Sequence, residues 1–301
     1  MASLVQQPLV MTCTEWDSYR LLDSGAGRKW ESFGPHTFIR PEPQAMWQPR
    51  FDQWSAAGEF IPGSDEDGGG RWQFSGQFAQ EGLPDEGWAL AWDDVRFTAK
   101  PTPFRHLQFF PDMAPVWEWM RAQLGEMTEA ETLNLFGYTG LGSLALSRHG
   151  KVTHVDASKK SVAQARENAA LSGMAERPIR WLVDDAAKFT GREVRRERRY
   201  DGIILDPPKF GRGPDGEVWR LEEHLPGLIS DCAKLLDTDS RVLFLTVYAV
   251  RMSSLAIAGL LQEALRGLPG QIEHGDLAVR EEGEGGRLLP TAVFARWSNP
   301  V

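Results

Sequence analysis

Beyond residue 113 the chain alternates between short runs of consecutive apolar residues and longer stretches in which apolar residues recur every three or four positions. The runs "ETLNLFGY", "KVTHVDAS", "IRWLVDDA", "YDGIILDPP" and "RVLFLTVYA" have the length and β-branched content of buried strands. Helical spacing appears in "APVWEWMRAQLGEM", "LGSLALSRHG", "HLPGLISDCAKLLD" and "KKSVAQARENAALSGM", the last closed by Gly173. The end, "QIEHGDLAVRE" then "LLPTAVFARW", reads as a final strand pair. Strands separated by helices in this way predict a doubly wound α/β sheet, with ligands at the carboxyl ends of its strands.

The first hundred residues follow another pattern. Turn signals such as "DSGAGRKW", "FGPH", "RPEPQ", "IPGSDEDGGGRW" and "EGLPDEGW" enclose short aromatic pieces, "HTFIR", "RWQFSGQF", "WALAW" and "VRFTA". Short strands between Gly and Pro clusters predict a small β-rich domain with little helix. Seven of the twelve tryptophans fall here: Trp16, Trp30, Trp47, Trp54, Trp72, Trp88 and Trp92. They are either the filling of a small core or a set of surfaces on which bases stack. The expected division is a Trp-rich domain over 1–108 and a doubly wound domain over 109–301, with "AKPTPFRHLQFFPD" between them.

Length and composition narrow the classes. The 301 residues are enough for one large or two ordinary domains, and 42% apolar with 25% charged residues is a globular balance. The start, "MASLVQQPLVMTCTEW", lacks a basic segment followed by a long apolar core, and no apolar run reaches membrane-spanning length. A soluble cytoplasmic protein is the expectation. Cys13 and Cys232 are the two cysteines, far apart, which offers no metal-ligand spacing. The net charge of -9 opposes a protein that coats nucleic acid, although it leaves room for a local basic face. The densest basic run, "GREVRRERRY", reads as a solvated helix end or loop with local ion pairs.

The candidate chemistry sits at strand ends. The first strand runs into "NLFGYTGLGS", where Gly137, Gly140 and Gly142 let a backbone approach a ligand before the next helix. Their order is G-x-x-G-x-G and not the G-x-G-x-x-G of a dinucleotide site. The second strand ends in Asp156, the position for a carboxylate that accepts both hydroxyls of an adenosine ribose. Asp185, after the third strand, is either an acceptor for an adenine amino group or a helix N-cap. The fourth ends at Asp206 in "ILDPPKFGRG", where Pro207 and Pro208 have carbonyls but no N–H groups. That loop is either chemical or a turn with Phe210 in the core.

With these motifs in view, the chain resembles the class I S-adenosylmethionine-dependent methyltransferases, specifically the large-subunit ribosomal RNA methyltransferases of the RlmI and RlmK type. The resemblance rests on "LNLFGYTG", "HVDAS", "ARENAALSG", "DDA" and "DPPKF" and covers roughly residues 109–301. It implies a Rossmann-like methyltransferase sheet, mostly parallel with an antiparallel final strand, beside a smaller β-rich N-terminal domain. It also implies S-adenosylmethionine as cofactor, lined by Asn134, Phe136, Gly140, Asp156, Asp185 and Asp206, with Gly137, Tyr138, Gly142, Ala157, Ser158 and Ala186 from the same loops. Phe110, in "FFPDMAP", stands where the family packs a segment over the cofactor.

Two departures shape the expected reaction. Residues 1–100 carry eight Lys and Arg against fifteen Asp and Glu where the family often carries a basic RNA-binding domain. The strand after "DPP", "LFLTVYAVRMSS", has no cysteine of the kind needed to activate a cytosine ring carbon. A nitrogen needs orientation instead, and "DPP" suits that task through Asp206, Pro207 and Pro208. Phe210 and Trp219 are the candidates to stack on a planar acceptor, and Lys209 and Arg212 to meet phosphate. The expectation is methyl transfer to a nitrogen of an RNA base, ribosomal RNA foremost, without a covalent intermediate. The alternatives are a protein side chain or small molecule as acceptor, a catalytically silent adenosyl-binding scaffold, and a dinucleotide oxidoreductase.

Overall fold

The computed structural model describes residues 1–13, 16–63, 69–84, 86–248 and 252–299. Part of the expected turn "IPGSDEDGGGRW" and the middle of "LFLTVYAVRMSS" therefore lie outside the described residues. The chain divides into two compact units. Met1–Met11, Pro115–Leu277 and Ala292–Val301 form one, and Thr12–Ala114 with Ala278–Thr291 form the other.

The larger unit is the doubly wound sheet. Its elements are α1 (Ala114–Leu124), β1 (Ala130–Leu135), α2 (Leu141–Leu146), β2 (Gly150–Asp156), α3 (Lys159–Leu171), β3 (Ile179–Val183) and α4 (Ala186–Arg195). They continue with β4 (Gly202–Leu205), α5 (Leu221–Lys234), β5 (Val242–Val247), α6 (Ser254–Ala264), β6 (Gln271–Arg280) and β7 (Leu288–Ser298). The sheet order is β3-β2-β1-β4-β5-β7-β6, with a short strand at Ser3–Leu4 added beyond β6. The first five strands run parallel and β7 runs antiparallel to β5. Strand order reverses between β1 and β4, which opens a crevice at their carboxyl ends. Every residue of β4 and β5 is buried, as expected of parallel strands covered on both faces. Leu133, Leu205, Leu243, Ile229 and Trp297 join one core beneath that crevice. No helix among the described residues is long and apolar enough to cross a membrane.

The smaller unit is β-rich. Tyr19–Gly25, Arg28–Phe33, His36–Pro41, Gly58–Pro62 and Gly70–Phe74 form a five-stranded sheet, antiparallel except where His36–Pro41 meets Gly58–Pro62. Trp88–Trp92 and Val95–Ala99 make a separate pair. The tryptophans are structural: the indole N–H groups of Trp16, Trp30, Trp47, Trp72 and Trp88 donate to backbone carbonyls and that of Trp54 to Asp23. Trp92 is buried. Phe38 packs between Trp72 and Trp88, with ring centroids 5.4 and 5.7 Å away.

Polar groups organise this unit as much as rings do. Glu31 is fully buried and accepts from both sides of the Arg40 guanidinium at 2.6 Å and from the Tyr19 hydroxyl at 2.8 Å. Asp23, also fully buried, accepts from the backbone N–H groups of Ser24, Arg50 and Phe51 and from Arg287 at 2.9 Å. Arg287 also forms a two-point contact with Glu281, at 3.1 and 2.8 Å. These bonds hold residues 278–291 within the smaller unit.

Burial alone would raise the Glu31 carboxyl, but Arg40 and Lys29 outweigh it and hold it below 4.5. A depressed carboxyl contributes stability above the ordinary carboxylate range and loses it as pH falls through the folded-state value. Arg40→Met leaves Glu31 buried without its guanidinium, with Lys29 3.8 Å away as the remaining cation, and is expected to lower stability by about 3 kcal/mol near neutral pH. In acid, where Glu31 takes up its proton, the deficit is expected to narrow. Urea unfolding of the variant and the parent at the two pH values measures both.

Candidate active site

The crevice is shaped by an unusual turn after β1. Phe136, Tyr138 and Gly140 have φ of 58, 48 and 85°, so two side-chain-bearing residues sit in the left-handed region. Asp156, at the end of β2, holds that conformation: one carboxylate oxygen accepts the Tyr138 backbone N–H at 2.9 Å, and the other accepts that of Ser158 at 2.8 Å. Burial pushes the Asp156 carboxyl above its usual value, while these two N–H groups pull it back in part. Beneath the turn, Asn134 donates to the Ser143 hydroxyl at 2.9 Å, and that hydroxyl lies 2.9 Å from Nδ1 of His154. His154 is fully buried, and burial lowers its imidazole to about 3, so the ring is neutral. The consistent assignment has Ser143 donating to Nδ1.

The three glycines have different reasons. A Cβ on Gly137 would lie 2.4 Å from the His154 ring, and one on Gly140 would lie 2.7 Å from Cβ of Ala165 and 3.0 Å from the Trp181 ring. Gly142 is buried inside α2, where a Cβ would meet Trp117 and Asn134 at 3.0 and 3.3 Å. Its smallness serves helix packing.

The other strand ends converge on the same edge of the sheet. Ser158 caps α3, and Asp185 caps α4 by accepting the Lys188 backbone N–H at 2.8 Å. Ala157 is half-buried, and Ala186 is the buried first residue of α4. Asp206 follows β4 and accepts a bond from the buried Thr246 hydroxyl of β5. Pro207 is buried and Pro208 exposed. The Pro208 carbonyl accepts the Trp219 indole N–H at 2.7 Å, and the Lys209 carbonyl accepts the Leu221 N–H that opens α5.

A hairpin not expected from the sequence carries the next residues. Phe210–Arg212 pairs antiparallel with Val218–Arg220, matching Phe210 to Arg220 and Arg212 to Val218. Cross-strand partners share a face, so these four side chains lie together. Phe210 is 50% exposed and Val218 44%. Trp219 points the other way: it is 5% exposed, its ring packs 5.1 Å from Phe136, and its N–H is committed to Pro208. Trp219 is thus a support under the loop and not a stacking surface, which corrects that expectation. Lys209 and Arg212 are exposed. Lys188 of α4 and Glu217 near the hairpin tip form an ion pair. Phe110 lies in the smaller unit, before a turn at Pro111–Met113, with its ring 5.3 Å from His106.

The donors fit an adenosyl group. Each Asp156 oxygen spends one acceptor site on a backbone N–H and retains another for a ribose hydroxyl. The α4 amino terminus and the left-handed turn lie on the same edge of the sheet. Comparison with known proteins is consistent with this. A family model described as conserved hypothetical protein 95 matches residues 114–215, from α1 to the hairpin. The crystal structure of a SAM-dependent methyltransferase from Agrobacterium tumefaciens is 39% identical, covers 99% of this chain and 95% of that one, and superposes with a TM-score of 0.91. The chain belongs to the S-adenosylmethionine-dependent methyltransferases. A SAM-dependent methyltransferase structure from Streptococcus mutans, 14% identical, covers 94% of this methyltransferase and 76% of that chain with a TM-score of 0.68, a likeness of fold alone.

Among curated relatives, the ribosomal RNA large subunit methyltransferase I of Alteromonas mediterranea is 37% identical over 84 residues, which is 27% of this methyltransferase and 21% of that protein. The ribosomal RNA large subunit methyltransferase K/L of Shewanella pealeana is 30% identical over 128 residues, 41% of this chain and 18% of that one. The aligned regions thus span about a fifth of the length of these relatives.

Asp156→Ala removes the candidate ribose acceptor and frees the Tyr138 N–H, and is expected to weaken S-adenosylmethionine binding by tenfold or more, since bonds to charged groups are worth about 1.5–3 kcal/mol. Isothermal calorimetry measures it, and unchanged affinity would remove Asp156 from the cofactor site. Asp185→Ala is expected to cost about 1 kcal/mol of stability through the lost α4 cap, and Asp185→Ser to restore most of it. If Asp185 serves the helix alone, the two variants bind cofactor equally well.

Proposed function

We propose that this methyltransferase transfers a methyl group from S-adenosylmethionine to a nitrogen of an RNA base, with ribosomal RNA in the cytoplasm as the substrate, by direct attack. The observation that carries this reading is the loop at the end of β4, where Asp206 is fixed by Thr246, the prolines are fixed by Trp219, and the half-exposed Phe210 ring follows immediately. A planar amine or ring nitrogen placed there stacks on Phe210, while Asp206 and the Pro207 carbonyl accept its N–H groups and aim its lone pair. S-adenosylmethionine, when bound, would supply an electrophilic methyl group, its sulfonium S–CH3 bond breaking to leave the neutral thioether S-adenosylhomocysteine. As the nitrogen gains that methyl it sheds a proton, which the Asp206 carboxylate accepts and returns to water. The names of the curated relatives favour ribosomal RNA as the acceptor.

Covalent activation by a thiol has no support at this loop. Cys232 is fully buried in α5, and burial pushes its thiol well above the ordinary range, so it forms no thiolate near neutrality. One observation favours a second reading, a protein side chain or small molecule as acceptor: the net charge of -9 works against an extended polyanion.

Tritium transfer from labelled cofactor to fractionated RNA, protein and small molecules separates the two readings, and label in the RNA fraction is the expected outcome. Asp206→Ala is expected to lower kcat by about a hundredfold or more with little change in cofactor affinity. Cys13→Ser combined with Cys232→Ala is expected to retain activity. Loss of activity in that double variant, with its fold intact by circular dichroism, would mean that a thiol takes part.

A further inference from the structure

A second cleft lies at the opposite end of the same sheet. It occupies about 440 Å3 at the amino ends of β1, β2 and β3, beside the last turn of α4. Five cations line it, Lys151, Arg177, Arg180, Arg196 and Arg198, against two anions, Glu131 and Glu193. Both anions are already neutralised. Glu131 meets Arg198 and lies 3.6 Å from Lys151, and Glu193 meets Arg196 at 2.8 Å and accepts the Tyr200 hydroxyl at 2.9 Å. Arg177 and Arg180 are exposed and have no ion-pair partner among the described residues. Cations at the α4 carboxyl terminus are accounted for by the helix dipole, but Lys151, Arg177 and Arg180 come from β2, the loop before β3, and β3 itself. The local excess is three positive charges in a chain of net charge -9.

We infer that this cleft binds the phosphodiester backbone of RNA, apart from the cofactor crevice. Guanidinium forks match phosphate oxygens in a way that isolated ammonium groups do not. The cleft presents no open ring: Tyr200 is 3% exposed with its hydroxyl committed to Glu193, so no base stacks here and recognition is confined to the backbone. In a chain of net charge -9, a polyanion is steered toward a face of opposite sign such as this one. Lys151 and Asp156 are five residues apart on β2. At a rise of about 3.3 Å per residue this is roughly 17 Å, so one RNA reaches both ends of the sheet.

This inference rests on RNA as the substrate, and the experiment separates the two. Fluorescence anisotropy with a labelled single-stranded RNA of mixed sequence is measured across a salt series for the parent and for Arg177→Ala with Arg180→Ala, both exposed positions. The expected result is an affinity lower by about tenfold and a salt slope smaller by about 1.4, with the slope but only part of the affinity restored in Arg177→Lys with Arg180→Lys and an unchanged cofactor affinity. Equal RNA affinity and equal slope in the alanine variant would overturn the cleft while leaving the RNA reading in place. No binding by the parent at low salt would overturn both.

Discussion

The hydrogen bond from the Tyr138 backbone N–H to Asp156 is the constraint on which the site depends. It ties the turn after β1 to the end of β2 and keeps two non-glycine residues in a backbone region they seldom occupy. The turn in turn positions the amino end of α2, whose Ser143 reaches back to Asn134 and His154 below. Since every member of that buried group is neutral, no charge is stranded under the crevice. Asp156 is the acid that adjoins this group, and its two backbone donors offset part of its desolvation.

The β4 loop uses a different device for the same end. Two prolines cannot donate to their neighbours, so the loop is held through its acceptors, by the Trp219 indole and by the Leu221 N–H. Rigid backbone with an exposed Phe210 at its edge gives a flat surface that need not be ordered when an acceptor arrives. The partition of aromatic residues follows: Trp219 is spent on support and Phe210 is left exposed.

Much of this was legible in the chain itself, because parallel strands buried on both faces read as unbroken apolar runs, as "GIIL" and "VLFLTV" do. Asp156 and Asp206 stood out because each is an acid that closes a largely apolar strand. Trp219 misled because a hairpin of three-residue strands leaves too few positions for alternation to show, so which face Trp219 took was unreadable. Strands Tyr19–Gly25 and Arg28–Phe33 were hidden for another reason. Their buried positions include Asp23 and Glu31, and the Ala26–Gly27 turn between them, with φ of 50 and 75°, reads as a loop signal although it is the tight turn of a hairpin. The return of residues 278–291 to the smaller unit is carried by ion pairs between residues more than two hundred positions apart, a pairing that no local pattern encodes.

That return has a consequence for the order of folding. Asp23 and Ser24 are made 264 and 257 residues before their partners Arg287 and Glu281. Until then a buried carboxylate on an edge strand of the five-stranded sheet lacks its arginine partner, and the closure entropy of a very long loop remains to be met. The smaller unit therefore waits for residues 278–291, and the larger sheet, whose parallel strands are made before them, waits for the part of β7 that follows.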